Sequence, residues 1–141
     1  MLVRDLMTTT LVTVGPETSI FDAKKAMAEQ RIRHLLVTDE SGLLGIITDR
    51  DIRLNLPSPA TSLSVWEVNY LLAKLTVRDV MTKSPITVSP DQAARDAASV
   101  MVARKIGALP VTAHGRLIGI VTETDVVKAF AAMAEAAPGA A

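Results

Sequence analysis

Along the first third of the chain the apolar residues change period in a fixed order. Leu11–Val14 is a short β-rich stretch that stops at Gly15-Pro16. Ile20, Ala23, Ala26 and Met27 then fall three and four residues apart, with Lys24, Lys25 and Glu29 on the other side, which predicts an amphipathic helix. Ser19 and Asp22 form a capping-box pattern at its start. Two apolar, β-branched runs follow, His34–Thr38 and Leu43–Thr48, separated by the turn-forming Asp39-Glu40-Ser41-Gly42. They predict a β-hairpin. A short helix from about Asp49 to Leu54 completes an order of β-α-β-β-α.

The same order returns further on, with strands expected at 86–88, 109–112 and 117–122 and helices at 93–104 and 123–136. Shifted by 74 positions, residues 3–54 fall on 77–128 without a gap, and 20 of the 52 aligned positions are identical. "VRDLMT" meets "VRDVMT", and "GIITDRD" (45–51) meets "GIVTETD" (119–125). The chain is therefore a tandem repeat. A three-stranded sheet cannot cover both of its faces alone. The expected fold is α+β, with the two repeats packed about a pseudo-two-fold axis and two equivalent clefts between them. Repeat 1 takes residues 1–54, a linker and inserted helix 55–76, repeat 2 residues 77–136, and a disordered tail 137–141. In the insertion, Ser64 and Glu67 form a capping box, while Val65, Val68, Leu72 and Leu75 make one stripe. This helix carries the only Trp and Tyr, Trp66 and Tyr70. It reads as a bridge packed on the repeats, or as a contact for a partner or second subunit.

Composition narrows the function. The 141 residues include no cysteine, which excludes a disulfide scaffold, a cysteine-based zinc site and a thiol nucleophile. Fifteen basic and fifteen acidic residues cancel, against the basic excess of a phosphate-directed nucleic-acid binder. The first residues lack the layout of a signal peptide, and no apolar run reaches membrane-spanning length, so no membrane is expected and the expected location is the cytoplasm. There is no G-x-S-x-G, P-loop or H-E-x-x-H, so no enzyme and no catalytic cofactor are expected. His34 and His114 fall in different surroundings with no third ligand, so no metal is expected either.

The repeated heptapeptide carries the chemistry. Its glycine, Gly45 or Gly119, permits close approach of another backbone or a ligand. Thr48 and Thr122 stand where a strand becomes a helix, and Asp51 and Asp125 lie one turn in. Free N–H groups at such a junction suit phosphate, and a carboxylate beside them can accept the two hydroxyls of a ribose. The same T-x-x-D is also an ordinary capping box. On these residues alone both readings stand.

The "VRDVMT" lead, the strand, the helix and the "G-I-x-T-x-x-D" ending, in tandem, resemble a pair of CBS domains, the repeats named after cystathionine β-synthase. The stand-alone form with a helical insertion is similar to the bacterial CBS proteins grouped with acetoin-utilisation proteins. The resemblance implies a regulatory module for AMP, ADP, ATP or S-adenosylmethionine. It implies a disc-like homodimer and an output exerted in trans on an unknown protein. It also implies that Asp51 and Asp125 hold ribose, with Thr48 and Thr122 beside them, and that side chains at the start of the following strand reach phosphate. There the copies differ: Arg33 and His34 in the first face Gly107 and Ala108 in the second, and Arg50 faces Thr124. Two inequivalent sites are expected, one better suited to phosphate-rich ligands. Adenine, without an aromatic platform, would sit among Val12, Ile32, Ile86 and Ile106 and read backbone near Thr10 and Ser84. The expected affinity is micromolar, with poor discrimination among adenosine ligands. The alternative is a structural dimerisation module without ligand.

Overall fold

The computed structural model describes residues 1–56 and 62–136. The expected disordered tail and part of the linker lie outside the described residues. Thirteen elements alternate along the described chain: α1 (Val3–Leu6), β1 (Thr13–Val14), α2 (Ile20–Gln30), β2 (His34–Asp39), β3 (Gly42–Thr48), α3 (Asp49–Leu54), α4 (Val65–Lys74), α5 (Val77–Val80), β4 (Thr82–Lys83), α6 (Ala94–Arg104), β5 (Ala108–Ala113), β6 (Arg116–Thr122) and α7 (Glu123–Ala136). The fold is α+β, in two compact units.

The units are not the repeats. One comprises Val12–Pro85, the other Met1–Leu11 together with Ile86–Ala141. Each repeat therefore gives its lead segment to the unit built on the other. Val3 of the first "VRDLMT" joins the core of Val88, Ala97, Met101, Leu109, Val111 and Val121. Val77 of the second joins the core of Ile20, Ala23, Met27, Leu35, Val37, Ile47, Ile52 and Leu72. Both valines are fully buried. The four-residue helices α1 and α5 that carry them have no periodicity long enough to read from sequence. A carboxylate caps each one: Asp5 accepts from the Leu2 N–H at 2.8 Å and Asp79 from the Thr76 N–H at 2.9 Å.

In the unit spanning Val12–Pro85, the sheet runs β1-β2-β3-β4, with β1 parallel to β2 and the other pairs antiparallel. Strand β4 was not expected. It is why Gly45 must be glycine, since a Cβ there would lie 2.5 Å from the Thr82 carbonyl oxygen. Of the two partners left open for this glycine, the structure supplies backbone.

The other unit repeats the pattern with fewer bonds. The hairpin β5-β6 is antiparallel, and single bridges Val88↔Val111 and Thr8↔Ile120 replace β1 and β4. The strand expected at 86–88 is reduced to that one bridge, and the one expected at 11–14 to Thr13–Val14. Both hairpins shift register at the same place, after Val37 and after Val111.

Helix ends follow local rules. Ser19 accepts from the Asp22 N–H at 3.0 Å, so the Ser19 half of the expected box is present. At the far ends of α2 and α6, Arg31 and Lys105 take left-handed backbone at φ 55°, and Ile32 and Ile106 donate back to Met27 and Met101. The inserted helix α4 packs against α2 through buried Leu72 and half-buried Val68 and Leu75. Val65, expected on the same stripe, is exposed because it opens the helix. Trp66 and Tyr70 face outward at 84% and 61% exposure.

Candidate functional site

Each hairpin brings a strand start against the end of its partner strand. In the first, His34 stands opposite Thr48, and the Asp49 N–H donates to the Arg33 carbonyl at 2.9 Å. In the second, Ala108 stands opposite Thr122, and the Glu123 N–H donates to the Gly107 carbonyl at 3.0 Å. Residues some fifteen positions apart in sequence thus meet at one end of each sheet. The strand-start residues and the T-x-x-D are neighbours in both units.

The T-x-x-D geometry is a reciprocal cap. Thr48 N–H donates to Asp51 Oδ2, and Asp51 N–H donates back to Thr48 Oγ1, both at 3.0 Å. Thr122 N–H donates to Asp125 Oδ2 at 2.8 Å, the Thr122 hydroxyl adds a 3.0 Å bond, and Asp125 N–H donates to Thr122 Oγ1 at 3.3 Å. All four residues are half-buried. The caps use one carboxylate oxygen each. Among the described residues no hydrogen bond is seen to Oδ1 of either aspartate, which leaves that oxygen for a further donor.

The other expected residues separate by unit. Val12, Ile32, Arg33, His34, Arg50 and Ser84 belong with Asp51, whereas Thr10, Ile86, Ile106, Gly107, Ala108 and Thr124 belong with Asp125. Val12 and Ile32 pack against one core and Ile106 against the other, while Ile86 is 41% exposed. Ser84, left-handed at φ 48°, donates to the Leu44 carbonyl at 3.3 Å, four strand positions from Thr48. At about 3.3 Å per residue that is roughly 13 Å, so only an extended ligand would touch both ends. Thr10, two residues beyond the Thr8↔Ile120 bridge, is its counterpart.

The charges differ between the units. Arg33 and Arg50 are exposed beside the Asp51 cap, and His34 is half-buried. Buried Ala108, half-buried Gly107 and exposed Thr124 bring no charge to the Asp125 cap. Beside Asp125, however, α1 and α7 border a cleft of about 470 Å³ that also takes in Asp5 and Lys128. Lys128 corresponds to Leu54 under the 74-residue shift, and that substitution is the signal that would have singled it out. No group of three or more His, Asp or Glu among the described residues is placed to hold a metal ion. No helix among them is long and apolar enough to cross a membrane.

Comparison with known proteins adds a family. The CBS-domain family profile matches residues 3–58 and 77–132. The chain is similar to CBSX2, whose crystal structure is a complex with AMP (35% identity, TM-score 0.77, 94% of this chain and 97% of that one). It is similar to the CBS domain pair of protein MJ0100, solved with 5′-methylthioadenosine and S-adenosyl-L-methionine (29% identity, TM-score 0.77, 94% and 98%). It also resembles a Vibrio cholerae protein described as acetoin utilization protein AcuB (30% identity, TM-score 0.77, 96% and 93%).

Proposed function

We propose, starting from the fact that this chain belongs to the CBS-domain family, that it is a non-catalytic regulatory module for adenosine-containing ligands, AMP, ADP, ATP or S-adenosylmethionine, acting in trans on another protein. One observation carries this reading: in each unit the T-x-x-D carboxylate sits beside a strand start and keeps one oxygen outside its cap. Asp51 and Asp125 accept the ribose hydroxyls there, and helix N–H groups face the 5′ side. The bound AMP and S-adenosylmethionine of similar structures support the ligand class. In the unit spanning Val12–Pro85, Arg33, His34 and Arg50 favour phosphate; in the other unit Gly107, Ala108 and Thr124 do not. The protein works as a homodimer in the cytoplasm, and ligand acts by binding two of its states unequally.

The second reading is a scaffold in which T-x-x-D only caps helices, and the complete caps favour it as far as they go. Thermal unfolding separates the two. Ligand at 100 times its dissociation constant adds about 2.7 kcal/mol, a shift of several degrees. A melting temperature unmoved by millimolar AMP, ADP, ATP and S-adenosylmethionine would leave only the scaffold.

A further inference from the structure

We propose that Lys128 is the anion-contacting, specificity-determining residue of the Asp125 site, and that it limits this site to ligands carrying a single anionic group. The inference rests on the reading of Asp125 as a ribose-binding residue. Lys128 lies three residues beyond Asp125 on α7, so the two side chains share a helix face. Both line the 470 Å³ cleft between α7 and α1, a volume within the range of small-ligand sites. Among the described residues Lys128 forms no ion pair, so its ammonium is available. With the 5′ side of a ribose at the helix N–H groups beside Asp125, its 5′ substituent is within reach of a flexible lysine one turn further along α7, because helical side chains lean toward the N-terminus.

The equivalent position in the other unit is Leu54, 72% exposed, and cannot take an anion. There the cations come from Arg33, just before β2, and from Arg50 in the first turn of α3. The two units thus place their cations at different positions around the cap. Lys128 offers one charge, and the cleft also holds the carboxylates of Asp5 and Asp125. One phosphate or carboxylate is matched by the lysine, while a triphosphate brings charges that meet the two acids. Leu6 and Met133 give the cleft an apolar wall that adds affinity without adding charge discrimination.

The test uses the full chain carrying Asp51→Ala, so that only the Asp125 site remains, with calorimetric titration of adenosine, AMP and ATP. AMP should bind more tightly than both adenosine and ATP. Adding Lys128→Leu should weaken AMP about tenfold and leave adenosine unchanged. An unchanged ratio of AMP to adenosine affinity overturns the role of Lys128 while the site stands. Tighter binding of ATP than of AMP overturns the single-anion limit. If the Asp51→Ala protein binds none of the three, the Asp125 site itself is wrong, and the role of Lys128 falls with it. Lys128→Arg should restore AMP binding, which separates loss of charge from loss of fold.

Discussion

Single residues explain why the caps hold, and two predictions belong here. The Asp79 carboxyl lies below its ordinary value of 3.8, first because the Thr76 N–H bonds it and then because the Thr76 hydroxyl does. A carboxyl whose folded value is depressed contributes stability above its unfolded value and loses it as pH falls through the folded one. The stability difference between wild type and Asp79→Asn should therefore shrink as pH falls through and below the ordinary carboxylate range, read from urea midpoints. A difference independent of pH would mean that the ionised cap contributes nothing. The second concerns Ala93, which opens α6 with no side-chain cap, where its counterpart Ser19 accepts the Asp22 N–H. Ala93→Ser should raise stability by about 1 kcal/mol in denaturant unfolding. The T-x-x-D boxes were legible in sequence because the two partners of a cap are only three positions apart. The cleft that joins Lys128 to Asp125 was not, because it depends on α1 arriving from the other end of the chain.

At the scale of elements, long periodic segments were legible. Helix α2 begins after Ser19 as the capping serine requires, and the expected helix 93–104 is Ala94–Arg104. Both hairpins lie where two apolar runs flank a turn. The short pieces were not legible. Strand β4 and the Thr8 bridge are two-residue and one-residue pairings whose partner is distant in sequence, so no local pattern marks them. They leave a trace in the repeated glycine, and that trace is testable. A Cβ at Gly45 would meet the Thr82 carbonyl oxygen at 2.5 Å, whereas one at Gly119 would meet Met7 Sδ at 3.0 Å and the Thr8 oxygen at 3.1 Å. Both positions meet a methionine side chain and a backbone oxygen, and the oxygen, which cannot yield as a side chain can, is nearer at Gly45. Gly45→Ala should cost about 3 kcal/mol and Gly119→Ala about 1 kcal/mol, measured by denaturant unfolding. Equal costs would show that the two strand edges are equally tight.

At the scale of the molecule, the repeat in sequence and the unit in space differ by an exchange of lead segments. An offset of 74 residues shows that two copies exist, but not which lead folds with which copy. The choice is made by Val3 and Val77, each buried in the core of the other repeat. Val3→Ala should cost about 2 kcal/mol, and its effect should be local to one unit. Hydrogen exchange should show β5 and β6 losing protection while β2 and β3 keep theirs. Loss in β2 and β3 instead would contradict the exchange. The same crossing places Thr10 with Asp125 and Ser84 with Asp51, so each candidate site draws on both repeats.

The central claim is that two aspartates, one per unit, each hold a ribose. Calorimetric titration of AMP into wild type, Asp51→Ala and Asp125→Ala tests it most directly. The account predicts two ligands per chain in wild type and one in each variant, with both variants folded. Two ligands per chain in all three proteins would contradict it.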